Sequence, residues 1–139
     1  MSDLTVRTAE DRDIAVIDSM IRRWVDWRGE RAGSIREALR REDHEVLVAE
    51  LGVEIVGVLH LIMYPDMMFG DYGAHIVFLL VEKGHRGKGV GSKLMDKAIE
   101  RAREKGAVEI HVDTIYPEAE RFYRELGFKD DGVMLALAL

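Results

Sequence analysis

The sequence contains no cysteine, no asparagine and no glutamine, and only two prolines in 139 residues. Without cysteine there are no disulfides, no thiolate metal sites and no cysteine nucleophile. Without Asn or Gln, no side-chain amide can serve in any site. With abundant Glu and Arg, this looks like the avoidance of thermolabile side chains found in thermophiles. Seven Met residues argue the other way, and a GC-rich genome would explain the same bias, since Arg outnumbers Lys fourteen to six. No apolar run approaches the roughly 20 residues that span a bilayer, so a membrane is not an expected partner. The opening MSDLTVRTAEDRD lacks the apolar stretch of a secretory signal, and a cytoplasmic setting is expected. A basic face is also wanting: 20 basic against 26 acidic residues give a net charge of −6. Nucleic-acid binding, which draws on counterion release, is therefore not expected. A cationic small molecule or a basic peptide would meet a favourable mean field.

What is present is a globular composition, 47% hydrophobic, in a length that suits one domain over residues 1–139. Leu4 to Arg7 alternates as a short strand. Thr8, with Asp11 returning the bond, reads as a helix cap, and Ile14, Ile17, Ile21, Trp24 and Val25 follow at helical spacing. Gly29 and Gly33 break that helix, and Ser34 with Glu37 reads as a second capping box opening a short helix through about Arg41. Val46 to Glu50 and Glu54 to Met63 form a hairpin around Gly52. Tyr64 to Gly73 reads as a loop, and Ala74 to Val81 as a buried strand. A helix runs from about Gly91 to Lys105, with Leu94, Met95, Ala98, Ile99 and Ala102 as its apolar stripe. Val108, Ile110 and Val112 alternate as a half-buried strand. Pro117 opens the last helix; Phe128 to Asp131 and Val133 to Leu139 read as a terminal hairpin. The order β-α-α-β-β-β-α-β-α-β-β predicts an α/β fold with a mixed, largely antiparallel central sheet flanked by helices.

Between a buried strand and a helix start stands Gly84-His85-Arg86-Gly87-Lys88-Gly89-Val90-Gly91-Ser92. Free backbone N–H groups and the helix dipole converge there, and an anion of phosphate size is the natural occupant. Glycines let phosphate oxygens approach the backbone, and Arg86 and Lys88 add positive charge. The Walker pattern fails, because Val90 stands where its lysine must be; the dinucleotide fingerprint fails at its third glycine, where Ser92 or Leu94 stands.

Arg86-Gly87-Lys88-Gly89-Val90-Gly91 resembles the Arg/Gln-x-x-Gly-x-Gly/Ala motif of the GCN5-related N-acetyltransferase superfamily, which holds the pyrophosphate of acetyl-coenzyme A. Val81, five residues earlier, matches the end of that family's fourth strand. Ala119-Glu120-Arg121-Phe122-Tyr123, then Gly127-Phe128, is similar to its late Ala-x-x-Phe-Tyr…Gly-Phe block. The chain departs from the family at Tyr116, where many members carry an Asn that helps hold the cofactor. The resemblance implies an acetyl-CoA-dependent N-acetyltransferase, with an amine attacking the thioester directly in a ternary complex. It implies a cofactor site of Leu79, Leu80, Val81, Arg86, Gly87, Lys88, Gly89, Val90, Gly91 and Ser92, with strand-end amides at Leu79 to Val81 freed by splaying. A non-catalytic acyl-CoA-binding module and a nucleotide-binding regulator are the alternatives.

The reaction needs a base for the amine, a donor for the thioester oxygen, and a proton or hydrogen bond for the departing thiolate. Tyr123 matches the family tyrosine commonly found near the sulfur, and that role is preferred to the alternative of a core tyrosine sharing an apolar helix face with Ala119 and Leu126. His75, in His75-Ile76-Val77-Phe78, stands where protein-modifying members often carry a Glu base; an imidazole base would give an acidic limb at roughly pH 6–7.5. Glu82, Asp71, His60 and His111 are its rivals. No His, Asp and Glu cluster has metal-ligand spacing, and no metal is expected. Trp24, Trp27, Arg28 and the Gly29–Gly33 loop fall where the family usually shapes its acceptor pocket. Tyr64, Met67, Met68, Phe69 and Tyr72 either form the opposite wall or bury in a homodimer. The central strand carries no acid between Ile76 and Val81, which ranks polyamines below small-molecule amine or peptide acceptors.

Overall fold

The computed structural model describes residues 3–25 and 29–139. In chain order the elements are β1 (Leu4–Thr8), α1 (Ile14–Arg22), α2 (Arg31–Arg40), β2 (His44–Leu51), β3 (Glu54–Asp66), β4 (Asp71–Val81), α3 (Val90–Lys105), β5 (Ala107–Val112) and α4 (Pro117–Glu125). Single 3-10 turns at Asp11–Asp13 and Lys83–His85 precede α1 and the glycine loop. Among the described residues the sheet has five strands in the order β1-β2-β3-β4-β5. The first four pair antiparallel, and β5 runs parallel to β4. This is the mixed, largely antiparallel α/β sheet that the residue pattern predicts.

Alternation along the strands separates two apolar layers. One face carries Leu47, Ala49, Val56, Leu59, Leu61, Ala74 and Ile76 against Leu94, Met95, Ala98 and Ala102 of α3 and Tyr123 of α4. The other carries Val46, Val48, Ile55 and Val58 against Ile14, Ile17 and Met20 of α1 and Ile35 of α2. The first turn of α3 sits tightly on the sheet because Gly57 has no side chain: a Cβ there would lie 2.8 Å from Val90 Cγ1 and 3.3 Å from the Leu80 carbonyl. Polar ties set the register of helices and sheet. The Lys93 ammonium donates to the Leu4 carbonyl at 2.6 Å, and Arg101 pairs with Glu45 at 2.8 Å.

The structure corrects several local expectations. The Thr8/Asp11 cap is not used: the Asp13 carboxylate accepts from the Glu10 N–H at 2.7 Å and takes two Arg7 bonds at 2.8 and 3.0 Å. Asp13 is buried, and those bonds hold its carboxyl below the usual carboxylate range. Gly33 does not break a helix and Ser34 does not open one. Both lie inside α2, which Glu30 caps by accepting from the Gly33 N–H at 3.4 Å. The expected loop from Tyr64 to Gly73 shrinks to residues 67–70, since β3 and β4 pair as far as Asp66 with Asp71. Pro65 fits within β3 because β2 ends its pairing at Ile62, so one edge is open where the missing N–H would matter. The terminal hairpin is not formed: residues 128–139 are all described and carry no strand. Phe128 is instead drawn onto the Tyr123 ring, 5.4 Å away. Asp130 and Asp131 are held by Arg124 at 2.7 Å and His111 at 2.8 Å.

Candidate active site

β4 and β5 stay paired only from Tyr72 with Ala107 to Ile76 with Val112. Beyond that point β4 continues to Val81 against β3 alone, aided by a bulge at Val77, which has no partner between His60–Phe78 and Leu61–Ile76. The parting strands open a cleft of about 780 Å³. Val77 to Val81 form one wall. Val112 to Tyr116 form the other, the Arg86–Ser92 region one end, and Phe122 and Tyr123 of α4 part of the lining.

At the loop end, Gly87 and Gly89 adopt positive φ, +74° and +83°, which a Cβ would strain, and both face open space. No side chain caps the N-terminus of α3. The first-turn N–H groups are thus left to an external acceptor, in the field of a 16-residue helix. Arg86 donates to the Val81 carbonyl at 3.4 Å, and its guanidinium lies 4.5 Å above the Trp24 ring. Trp24 in turn meets Tyr116 edge-on at 6.0 Å. These three side chains, from the α1 end, the glycine loop and the β5–α4 connection, join across the cleft mouth.

Deeper in, Tyr123 is 6% exposed, and burial, with the nearby Asp113 charge, pushes its phenol up to about 12. It is therefore a neutral hydrogen-bond donor at any ordinary pH. Asp113 lines the cleft, and its Oδ1 lies 3.3 Å from His75 Nε2. The parallel pairing of β4 and β5 sets this contact, since His75 is in register with His111, two residues before Asp113.

The model of the acetyltransferase (GNAT) family matches residues 11–128. The chain belongs to the GNAT acetyltransferase family. The GNAT chain is 30% identical to the aminoalkylphosphonate N-acetyltransferase of Salmonella typhimurium, over 99% of this chain and 91% of that protein. Among solved structures it is similar to a transcriptional regulator from Bacillus halodurans C-125, with a TM-score of 0.89, 31% identity, and 98% and 99% of the two chains covered. It also shares the fold of a Trypanosoma brucei acetyltransferase, with a TM-score of 0.86 at 24% identity, over 99% and 100% of the chains. The GNAT chain is an acyltransferase. Among its described residues no helix is long and apolar enough to cross a membrane.

The GNAT cleft gathers most of the residues expected from sequence. Leu79, Leu80, Val81, Arg86, Gly87, Gly89, Val90, Gly91, Ser92 and Tyr123 all line it. Lys88 does not, and His75 stands behind Asp113 rather than on the wall. Glu82 is off the wall too, and its carboxylate is engaged by Arg23. Of the other rivals, Asp71 sits at the far end of β4 in register with Asp66. His111 pairs with Asp131 at 2.8 Å. His60 faces the other layer, 2.9 Å from His44, and burial pushes its imidazole down to about 4. Trp24 does reach the cleft, whereas Trp27 and Arg28 lie outside the described residues. Met67, Met68 and Phe69 do not line it; they protrude at the β3–β4 tip. Asp113 is the residue that sequence reading undervalued. In sequence it merely follows the alternating Val108, Ile110 and Val112, and only its position just past the last β4–β5 pair carries a signal.

Proposed function

We propose that this enzyme transfers an acetyl group from acetyl-CoA to a primary amine of a small molecule, by direct attack in a ternary complex. The observation that carries this reading is the parting of β4 from β5 beyond Ile76 and Val112. It opens one continuous cleft from the glycine loop to Asp113 and Tyr123. The residues present fit a coenzyme: a helix start without a cap, two positive-φ glycines facing open space, and β4 backbone with no β5 partner. The N–H groups of Gly87 to Ser92 would hold the pyrophosphate, and the Leu79 to Val81 backbone the pantetheine arm. Bound there, the coenzyme supplies an activated thioester; the rest of the chemistry belongs to protein groups.

In this reading the Asp113 carboxylate attracts the acceptor's ammonium to the point where the strands part. Neutral His75 keeps its Nε2 lone pair toward Asp113, 3.3 Å away. The amine proton passes to the Asp113 carboxylate in the cleft and on to His75 Nε2, which restores the carboxylate and leaves the charge on an imidazolium beside it. A phenol pushed up to about 12 is too weak an acid to protonate fully a thiolate of pKa near 8.5. Tyr123 accordingly donates a hydrogen bond to the departing sulfur. The similarity to an aminoalkylphosphonate N-acetyltransferase over 99% of the chain favours a compact amine over a peptide. The setting proposed is the cytoplasm, on the cysteine-free composition.

The test has two arms. Calorimetry with acetyl-CoA, CoA, ATP and NAD should give binding for the first two alone. A panel of small amines and peptides should yield acetylated product from the small amines. Binding without product from any amine would reduce the protein to an acyl-CoA sensor, and absence of CoA binding would remove the reading altogether.

A further inference from the structure

We propose that the acceptor is a primary amine carried on a neutral, apolar body, an alkylamine or arylalkylamine, and that Val77, Ile115 and Tyr116 select it. This rests on the transferase reading above and names the kind of amine that the cleft takes.

Three observations carry it. The first is an apolar patch left open to water inside the cleft. Ile115 is 88% exposed, Tyr116 49% and Val77 46%, and Trp24 backs them through its edge-on contact with Tyr116 at 6.0 Å. All four line the cleft. Ile115 and Tyr116 follow Asp113 by two and three residues, and Val77 follows Ile76, the last β4 residue paired with β5. The patch therefore flanks the carboxylate that draws the ammonium. Apolar side chains gathered around one charged group in a cleft mark a place for a ligand of the same make-up.

The second is the sign of the charge. Asp113 and Glu118 place two carboxylates on the wall that runs from β5 into α4. Among the described lining residues, the basic side chains are His85 and Arg86, both at the glycine loop. Arg86 is engaged there by the Val81 carbonyl at 3.4 Å and by the Trp24 ring at 4.5 Å. An acceptor bearing a phosphonate, phosphate or carboxylate would set that anion beside two like charges, with no cation on its own side of the cleft to receive it.

The third is a shortage of hydrogen-bonding side chains for a sugar-like body. The β4 wall from Val77 to Val81 is wholly apolar. On the facing wall the Thr114 hydroxyl already accepts from the Tyr116 N–H at 3.2 Å. The chain has no Asn or Gln to offer an amide. A polyhydroxylated acceptor would leave its hydroxyls unpaired on entering, at a cost for each. An apolar amine has a single group to satisfy, and Asp113 satisfies it. In the transfer the nitrogen bonds to the acetyl carbon as the carbon–sulfur bond breaks. Of the two protons that the ammonium loses, one leaves through Asp113 and His75 and the other ends on the coenzyme sulfur. The product is a neutral amide, which Asp113 no longer holds by charge.

Steady-state kinetics of the full chain with acetyl-CoA and a series from ethylamine to hexylamine test the proposal. Each added CH₂ should raise kcat/KM about 3- to 4-fold until the patch is covered. Phenethylamine should exceed both aminoethylphosphonate and glucosamine by about 10²-fold or more in kcat/KM. Ile115→Ser and Tyr116→Ser, both in an exposed connection, should lessen the gain per CH₂ with circular dichroism unchanged. The series on the native chain decides by itself should either variant fold poorly. A flat series, preference for the phosphonate or the amino sugar, or a four-carbon diamine preferred to butylamine would each overturn the apolar acceptor and leave the transferase reading standing. A gain per CH₂ that survives both folded variants would overturn the assignment of the patch. Product from none of the amines would remove the transferase reading, and this acceptor with it.

Discussion

His75 Nε2 and Asp113 Oδ1 lie 3.3 Å apart at the place where β4 and β5 separate. A carboxylate in the cleft and the imidazole behind it, arranged to pass one proton, should fail together. His75→Ala and Asp113→Asn are each expected to lower kcat about 10²-fold or more, and the double variant little further, because the two act as one unit. Asp113→Asn should also raise KM for the amine, a change that a purely structural role would not single out.

Tyr123→Phe keeps the ring that packs on Phe122 and Phe128, at 5.3 and 5.4 Å, and deletes the hydroxyl. Turnover should fall roughly 10- to 100-fold, the scale of one lost donor to developing charge, with cofactor affinity unchanged. Since burial pushes the phenol up to about 12, the native enzyme should show no loss of rate from this group up to about pH 10. Wild-type single-turnover rates in the variant would assign Tyr123 to packing alone.

Gly89 adopts φ +83° at the cap of α3 and faces open space. Gly89→Glu forces a side chain into a left-handed conformation and sets a negative charge at the helix start. Binding of CoA, read by calorimetry, should weaken at least about 10²-fold, while circular dichroism is unchanged. Gly89→Ala, which adds strain without charge, should lie between the two.

His60 supplies a pH effect on stability rather than on rate. Burial first, and the neighbouring His44 second, push its imidazole from 6.5 down to about 4. The unfolded chain therefore binds a proton below pH 6.5 that the folded chain refuses until about pH 4. Stability is whole above pH 6.5 and falls as pH drops through that window. The expected loss is about 2 kcal/mol, kept below the full linkage value by the ring's partial access to solvent. Urea midpoints between pH 7 and 4.5, taken as the difference between the native chain and His60→Met at each pH, measure it apart from the carboxylates that begin to titrate at the lower end.

The fold was legible in the strand and helix periods because each layer is built from alternating apolar positions, such as Leu47, Leu59 and Ile76 on one face. The glycine loop was legible because few chemistries need so many glycines before a helix. What misled were local signals overridden by packing. Thr8 and Ser34 are good caps in isolation, yet Asp13 and Glu30 supply the capping contacts instead. Asp131-Gly132 is a good turn, but Phe128 packs on the Tyr123 ring and Asp131 pairs with His111, and no strand follows. Asp113 could not be recognised from sequence, because its meaning depends on how far β5 stays paired with β4.

The Arg86 guanidinium above Trp24 has a practical corollary. The same loop residue that borders the phosphate site also touches an indole, so entry of a ligand at the helix start must alter the surroundings of that ring. With Trp27→Phe, Trp24 becomes the sole indole of the chain, and its emission is a built-in optical gauge of loop occupancy. Cofactor arrival could then be timed in a stopped-flow mixer without any label, apart from the acyl-transfer step that follows.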